Sequence, residues 1–266
     1  MNLDIAGHVA AVTGGANGIG FAIARALAAE GARVAILDIH ESAGASAASL
    51  GGTEAVAIRC DVADGESVRS AAAGIRTRLG RVNHVVHAAG IGSGKFGFPF
   101  LNLEPADWEP VLRVNVLGAV HVAHAFAPEM VEARSGDFLF IASVAGQMGS
   151  QTDPPYSASK AALINFAQCM AKDLAPHGVR VNTICPGMVK TAVNRSVWEA
   201  WNARQPPEGR RDYDDWAGEK VRSVVPLGRW QEPEDVAAMA AFLASPRSKN
   251  VTGQTINVDG GYVMHW

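Results

Sequence analysis

Short apolar segments alternate with longer helical segments along the whole chain, and this alternation restricts the fold more than any other feature. His8–Thr13 is an apolar run that ends at Gly14, and residues 18–30 follow with apolar side chains at helical spacing. The same pattern predicts further strands at 33–38, 54–59, 82–87, 137–143, 179–185 and 254–258. Strands joined by helices need crossover connections, so the chain predicts an α/β fold with about seven parallel strands and helices on both faces.

Helical segments complete this alternation at 64–79, 105–134 and 154–176, and another begins at Glu232. No linker, repeat or low-complexity tract interrupts them in the 266 residues, of which 48% are hydrophobic. A chain of this length and composition is expected to form one domain over residues 1–266.

The charge and the cysteine content argue against several classes of function. The formal net charge is −3 without a long run of one sign, so neither a nucleic acid nor an anionic membrane surface is expected as a partner. Cys60, Cys169 and Cys185 are far apart and match no metal-ligand spacing, so we expect no metal site. The N-terminus lacks a basic region followed by an apolar core, and no run is expected to cross a membrane. These features predict a cytoplasmic protein.

The segment 191–227 breaks the alternation. It contains Trp198, Trp201 and Trp216, and Pro206–Gly209 divides it into two expected short helices. Insertions of this length between core elements are more often functional than accidental, so the segment is interpreted as a lid over a substrate. The alternative is a rigid surface flap whose tryptophans pack against the body of the protein.

Thr13–Gly20 is a glycine-rich turn between the first strand and the first helix. Glycines allow the backbone to turn sharply and to approach a phosphate closely, and the helix N-terminus offers free N–H groups to that phosphate. A glycine cluster alone is weak evidence, but its position after the first strand of an alternating chain favours nucleotide binding. This context identifies the predicted sheet as Rossmann-type and doubly wound.

Asp38 ends the second predicted strand, about twenty residues after the glycine turn. A carboxylate there can accept hydrogen bonds from both hydroxyls of an adenosine ribose, and it would repel the additional phosphate of NADP. Ile39 and His40 bring no permanent positive charge, so NAD is the expected cofactor. Asp61 and Val62, after the third strand, are placed to flank the adenine. A turn or a helix cap is the alternative role for either aspartate.

Tyr156 and Lys160 are four residues apart in a predicted helix, which places both side chains on one face. A tyrosine hydroxyl has a reference pKa of about 10 and is a poor base at neutral pH, whereas a nearby cation favours the phenolate. The pair is therefore a candidate proton-transfer group, although tyrosine and lysine also fall four apart by chance in many helices.

Together these motifs make the chain resemble the short-chain dehydrogenase/reductase (SDR) family. The resemblance covers essentially the whole chain. It rests on an ordered set, which is the Thr13–Gly20 pattern, Asn115, Ser143, Tyr156 with Lys160, and Pro186–Gly187. It implies an oxidoreductase that transfers a hydride between a secondary alcohol and the nicotinamide of NAD, that is, an NAD-dependent short-chain alcohol dehydrogenase or carbonyl reductase.

The resemblance also implies a role for each matching residue. Tyr156 would be the general acid/base, Ser143 would hydrogen-bond the substrate oxygen, and Lys160 would bind the nicotinamide ribose and lower the tyrosine pKa. Asn115 would hold a water that connects Lys160 to solvent. The residues expected to contact the cofactor are Gly14, Asn17, Gly18, Ile19, Gly20, Asp38, Asp61, Val62, Ala88, Gly90, Tyr156, Lys160, Pro186, Gly187, Val189 and Thr191.

One segment departs from the family pattern. The family has Asn-Asn-Ala-Gly after the fourth strand, whereas this chain has His87, Ala88, Ala89 and Gly90. Gly90 preserves the close approach of the backbone to the cofactor, and Ala88 retains its main-chain carbonyl. The asparagine amides that normally tie the central sheet together are lost. The glycine-rich residues 91–98 that follow predict a mobile loop beside the substrate.

The substrate pocket is expected to use Ser143, Tyr156, Gln147 and Trp198, with Gln147 as the polar group near the reacting carbon. Tryptophans can enclose a ring or stack on a sugar, so we expect a secondary alcohol as substrate: first a polyol, then a sugar or a cyclic or aromatic alcohol. The alternative is a non-catalytic NAD-binding regulatory protein on the same fold, which predicts loss of Tyr156, Lys160 or Ser143. The resemblance implies a homotetramer.

Overall fold

Seven parallel strands form one central sheet in the computed structural model of the chain, which describes residues 3–95, 100–149 and 153–264. The strands are β1 Val9–Thr13, β2 Arg33–Asp38, β3 Ala55–Arg59, β4 His84–His87, β5 Gly136–Ile141, β6 Val179–Pro186 and β7 Thr255–Val258. Their order across the sheet is β3-β2-β1-β4-β5-β6-β7. The predicted doubly wound α/β fold is confirmed.

Helices connect the strands and cover both faces of the sheet. They are α1 Gly18–Ala29, α2 Ala43–Ser49, α3 Gly65–Leu79, α4 Trp108–Leu112, α5 Gly118–Ala133, α6 Pro154–Leu174, α7 Ala192–Ala203, α8 Tyr213–Val224 and α9 Pro233–Ala244. One apolar cluster lies between the sheet and α3, α5 and α6, and a second lies between the sheet and α1, α2 and α9. β1 and β4 are buried along their whole length, as expected of parallel strands that helices cover on both sides.

Two elements differ from the expectation. α2 was not predicted, because its sequence AGASAAS has no strong apolar periodicity. The helix predicted over 105–134 is divided by a π-helical turn, Arg113–Leu117, between α4 and α5. A π turn inserts a residue into the helical repeat without interrupting the apolar pattern, so the sequence does not reveal it. Such turns occur frequently at functional sites.

The segment Pro105–Ala133 is long and apolar enough, by length and composition, to cross a membrane. This differs from the expectation that no run would reach that length. Only 39% of its most apolar window is buried, yet α5 contributes Ala119, Val122 and Phe126 to the core. Core helices of soluble proteins pass the same test, so this finding is weak evidence for a membrane span. Leu112 and Leu117 remain exposed on this segment.

A row of polar side chains crosses the sheet at the N-terminal ends of its strands. Arg180 and His84 both contact the same carboxylate oxygen of Asp137, at 3.2 Å and 2.6 Å. The Nδ1 of His8 lies 2.9 Å from the Nε2 of His84. The strand register places His84 beside Asp137 and Asp137 beside Arg180, so neighbouring strands each contribute one member. We name these four residues the polar row.

We expect thermal stability to fall as the pH drops below about 6.5, with His8 contributing to that fall. Burial lowers the pKa of His8, and repulsion from His84 lowers it further. The unfolded chain, in which a histidine has a pKa of about 6.5, therefore binds this proton more readily than the folded protein does. His8 contributes stability above that pH and loses it below. Melting temperatures measured at several pH values should fall less steeply for His8→Gln than for wild type; equal slopes would contradict this assignment.

Candidate active site

α6 brings the tyrosine and the lysine of the predicted pair to the C-terminal end of β5. Pro154 begins the helix, where its missing N–H is not needed. The Nζ of Lys160 lies 5.4 Å from the centre of the Tyr156 ring, one turn away. Lys160 is buried, and its Nζ donates a hydrogen bond at 2.8 Å to the carbonyl of Ile141, the last residue of β5. The two side chains therefore share one face of the helix, as their spacing predicted.

Ser143 lies two residues beyond β5 and contacts the tyrosine. Its side chain interacts with the Tyr156 phenol and acts to lower the pKa of that group. Its Oγ also accepts a hydrogen bond from the Ala145 N–H at 3.1 Å, which begins a short 3-10 turn. This turn packs directly on α6, since a Cβ added to Gly146 would lie 2.6 Å from the main-chain carbonyl carbon of Lys160. Ser143, Tyr156 and Lys160 thus form one group.

Burial dominates the proton affinities of this group. It raises the pKa of Tyr156 to about 12, while the interaction with Ser143 acts in the opposite direction and the charge of Asp153 adds to the rise. Burial also lowers the pKa of Lys160 to about 8, so most molecules keep the lysine charged at neutral pH. The lowered tyrosine pKa implied by the resemblance is not found in this structure, because removal of water penalises the phenolate more than its neighbours stabilise it.

Asn115 occupies the π turn between α4 and α5 and is fully buried. Its Oδ1 accepts a hydrogen bond from the Ile91 N–H at 2.8 Å, and its Nδ2 donates to the Ile91 carbonyl at 2.9 Å and to the Ser159 hydroxyl at 2.9 Å. A Cβ added to Gly90 would lie 3.3 Å from the Asn115 Oδ1 and 3.2 Å from the Lys160 Nζ. Asn115, Gly90 and Lys160 therefore converge, and the Asn115 side chain joins the segment after β4 to α6.

The glycine turn provides the close backbone approach that its sequence predicted. Gly14 has φ +64°, and a Cβ there would lie 2.7 Å from the Ala89 nitrogen. A Cβ on Gly20 would lie 2.1 Å from the Gly14 carbonyl oxygen, so neither position accepts a side chain. Asn17 precedes α1 without making a capping bond to it, which leaves first-turn N–H groups of α1 without a side-chain cap. Gly18 and Ile19 belong to that turn. This geometry fits a dinucleotide pyrophosphate.

Asp38 connects the end of β2 to the glycine turn. Its Oδ2 accepts a hydrogen bond from the Ala16 N–H and its Oδ1 accepts one from the His40 N–H, each at 3.0 Å. A carboxylate has about four acceptor positions, so it retains capacity for the hydroxyls of a ribose. Asp38 can therefore stabilise the turn, which was the alternative interpretation, and also bind the cofactor.

The residues that follow β3 have local partners as well. The Oδ1 of Asp61 accepts a hydrogen bond from the Ala63 N–H at 2.9 Å, which is the bond of a plain turn. Val62 is buried, and its carbonyl oxygen lies 2.8 Å from the Nδ1 of His121 on α5. The structure therefore places Asp61 and Val62 at the same sheet edge as Asp38. The hydrogen bond between Asp61 and the Ala63 N–H agrees with the turn interpretation of Asp61.

The residues after β6 form the opposite side of the site. Pro186 ends the strand, and a Cβ on Gly187 would lie 2.7 Å from the Cβ of Asp259, so only glycine fits. Val189 forms an isolated bridge with Gln231. Thr191 caps α7, with its hydroxyl oxygen accepting the Asn194 N–H at 3.3 Å. This cap fixes where the 191–227 segment leaves the sheet.

His87 forms a hydrogen bond between β4 and β1, where the sequence predicts that the asparagine contacts of the family are lost. Its Nδ1 lies 2.9 Å from the Thr13 hydroxyl, and the Ala88 N–H donates to the Thr13 carbonyl at 3.1 Å. Burial, followed by repulsion from Lys160, lowers the pKa of His87 to about 3, so the ring stays neutral. Sequence reasoning identified the departure but not this bond, because it joins residues 74 positions apart.

Gln147 and Trp198, the two side chains expected to contact the substrate in addition to Ser143 and Tyr156, form hydrogen bonds within the protein. The Nε2 of Gln147 donates to the Oδ1 of Asn257 on β7 at 2.7 Å. The Nε1 of Trp198 donates to the Arg211 carbonyl at 3.1 Å, and its ring packs edge-on against Tyr213. Both side chains therefore have positioning contacts that the sequence did not show. Residues 96–99 of the predicted mobile loop lie outside the described residues, so that prediction stays a prediction.

The chain is similar to known proteins over nearly its whole length. A family model described as enoyl-(acyl carrier protein) reductase matches residues 14–263. D-threitol dehydrogenase of Mycolicibacterium smegmatis is 35% identical over 97% of this chain and 94% of its own length. The chain belongs to the short-chain dehydrogenase/reductase family. The predicted resemblance is confirmed, and the protein is an SDR oxidoreductase.

Solved SDR structures superpose over nearly the full chain. An NAD⁺-bound xylitol dehydrogenase has a TM-score of 0.89 at 31% identity, covering 97% of this chain and 100% of its own. The L-sorbose reductase of Gluconobacter frateurii, solved with NADPH and L-sorbose, has a TM-score of 0.91 at 27% identity over 100% of both chains. Structural neighbours of this SDR protein thus bind either NAD or NADP, and they act on polyols and sugars.

Proposed function

We propose that this SDR protein is an NAD-dependent dehydrogenase that transfers a hydride between a secondary alcohol and the nicotinamide, with a polyol or a sugar as substrate. The observation that best supports this function is the contact group of Ser143, Tyr156 and Lys160 at the end of β5, beside Gly90 and the glycine turn. The similarity to threitol and xylitol dehydrogenases supports the polyol class.

In this mechanism each protein group has a separate task. Tyr156 would exchange the hydroxyl proton of the substrate, and Ser143 would orient the reacting oxygen by a hydrogen bond. Lys160 would hold the nicotinamide ribose and supply a fixed positive charge. The bound nicotinamide would accept or return the hydride and, when oxidised, would add a positive charge that favours the phenolate. That charge acts against the burial that raises the pKa of Tyr156 in the structure.

The preference for NAD rests on Asp38. The Asp38 carboxylate lies beside the glycine turn, and the exposed side chain of Ile39 follows it. A second phosphate on the adenosine ribose would be repelled by this negative charge. We therefore expect NAD⁺ to bind at least about tenfold more tightly than NADP⁺ in a calorimetric titration, a difference of about 1.4 kcal/mol.

The regulatory alternative receives less support from the site. Burying the polar ends of a lysine and a tyrosine costs folding free energy. Binding of NAD alone, without catalysis, does not require the protein to bury both groups together. All three residues whose loss that alternative predicts are present and in contact.

Two further proposals concern the surroundings of the site. We propose that residues 191–227 close over the substrate as a unit, because Trp216 packs against both Trp201 and Tyr213 within that segment. Protection of this segment from proteolysis by NAD⁺ with substrate would test this.

We also propose a homotetramer paired partly through the exposed apolar residues Leu112 and Leu117, which analytical ultracentrifugation would test.

A substrate panel tests the proposed function. The purified protein should reduce NAD⁺ with threitol, xylitol or sorbitol, followed by the absorbance of NADH. Acetoacetyl-CoA with NADH or NADPH provides the comparison, because an acetoacetyl-CoA reductase of Synechocystis sp. is 35% identical over 98% of this chain. Activity with the thioester alone would show that the substrate class is wrong, and failure to bind either dinucleotide would contradict the dehydrogenase assignment.

A further inference from the structure

Asp153 is a buried carboxylate immediately before the catalytic helix, with 5% of its surface exposed. Its Oδ1 lies 3.5 Å from the Tyr156 N–H, which makes it the N-cap of α6. Its Oδ2 accepts a hydrogen bond of 2.9 Å from the Ser93 N–H, sixty residues away in sequence. One carboxylate thus contacts both the first turn of the catalytic helix and the segment that follows β4.

Helix capping alone does not explain this residue. Asp64 and Asp212 cap α3 and α8 in the same way, each through a hydrogen bond to a main-chain N–H, and both are exposed. Burial of a carboxylate is costly unless it is paired, and among the described residues no cationic side chain forms an ion pair with Asp153. A serine or threonine would cap the helix without a buried charge. The additional bond to Ser93 is the feature that distinguishes Asp153.

The segment after β4 is held at two points. Asn115 bonds both the N–H and the carbonyl of Ile91, and Asp153 bonds the N–H of Ser93. Gly90, where an added Cβ would lie 3.3 Å from the Asn115 Oδ1 and 3.2 Å from the Lys160 Nζ, comes just before these two points. The position of residues 91–93 relative to Tyr156 is therefore set from both sides.

We propose that Asp153 is a positioning residue of the active site, whose carboxylate clamps residues 91–93 to the first turn of the catalytic helix and so fixes one wall of the substrate pocket. The proposal rests on the proposed function, because it assumes that Tyr156 is the reacting group.

The charge of Asp153 has a second consequence. The groups that act on the Tyr156 phenol are Ser143 after β5, Asp153 before α6, Cys185 on β6 and Lys160 on α6. Of these, Asp153 is an acid whose charge opposes formation of the phenolate. Removal of that charge should make Tyr156 a stronger acid, which a loss of purely structural contacts would not do.

Asp153→Ser separates capping from clamping. Serine retains a capping oxygen for the Tyr156 N–H, but it is too short to reach Ser93 as well and carries no charge. We expect the Ser93 amide to exchange hydrogen at least about tenfold faster in this variant, because a hydrogen bond to a charged group is lost. We also expect KM for the alcohol to rise about tenfold, NAD⁺ affinity to change less than about twofold, and the acidic limb of the kcat profile to move to lower pH.

Asp64→Ser is the matched control, since it makes the same change at the cap of α3. It should leave Ser93 exchange and the pH profile unchanged. Equal Ser93 exchange in wild type and Asp153→Ser, or the same increase in Asp64→Ser, would overturn the proposal. So would an unchanged KM together with an unshifted pH profile. Hydrogen exchange needs no substrate, so a wild type that oxidises no alcohol would contradict the proposed function while the exchange data still decide whether the clamp exists.

Discussion

Tyr156→Phe should lower kcat for alcohol oxidation by about a thousandfold, because a positioned general acid/base contributes about 10²- to 10⁴-fold. Phenylalanine keeps the ring and its packing in α6 but removes the only group at this position that can exchange a proton. The interaction of the phenol with Ser143 is lost with it. NAD⁺ affinity should change little, because the turn that fits the pyrophosphate is built from backbone at Gly14 and Gly20. Steady-state kinetics and a calorimetric NAD⁺ titration on the same preparation measure both effects.

Tyr262→Phe is the control for this substitution. Tyr262 packs against the core near the end of the described chain and has no assigned role in the reaction. It should retain wild-type kcat within about a factor of two. Full activity in Tyr156→Phe would show that the proton is transferred by another group. A combined loss of activity and NAD⁺ binding would point to a misfolded variant rather than a chemical role.

Asp137→Asn should lower the free energy of unfolding by about 3 kcal/mol, because it removes the negative member of a buried ion pair. The side chains of Asp137 and His84 are 6% and 5% exposed, and that of Arg180 is 15% exposed. Asparagine has nearly the same shape, so the effect reports the charge rather than a cavity. The remaining members of the polar row would keep a partly buried guanidinium without a carboxylate. Chemical denaturation at a fixed protein concentration measures the change.

The exposed pair of Arg69 and Glu66 provides the control for Asp137. Their side chains are 65% and 73% exposed, so Glu66→Gln should cost less than about 1 kcal/mol. A loss in Asp137→Asn as small as that of Glu66→Gln would show that the polar row adds no net stability. Because the polar row lies at the N-terminal ends of the strands, the NAD⁺ affinity of a folded Asp137→Asn protein should remain close to that of wild type.

Local patterns were sufficient to predict most of the fold. Each predicted strand corresponds to an observed one within about two residues at either end, because apolar runs stop at glycine, proline or acidic residues. The π turn at Asn115 was not predictable in this way. Apolar spacing reports which face of a helix is buried, and it is insensitive to one additional residue per turn.

In the candidate site, too, some features were predictable from the sequence and others were not. Tyr156, Lys160 and Ser143 were found from spacing and order, and the structure brings them together. The hydrogen bonds of Asp153 with Ser93 and of His87 with Thr13 were not predicted, since an aspartate before a proline and a histidine at a strand end have many ordinary explanations. Gln147 was expected to face the substrate, and this stays a prediction; the sequence did not show that its amide nitrogen donates a hydrogen bond to Asn257.

The sequence by itself determined the order of strands and helices along the chain, and with it the edge of the sheet at which the glycine turn, Asp38 and the Tyr156–Lys160 pair lie. That follows because parallel strands place all their C-terminal ends on one side. Only the tertiary structure decided how each buried polar group is satisfied. The partner of Gln147 is 110 residues away and that of Asp153 is 60 residues away. Hydrogen bonds over such separations depend on the packing of whole elements, which no local pattern records.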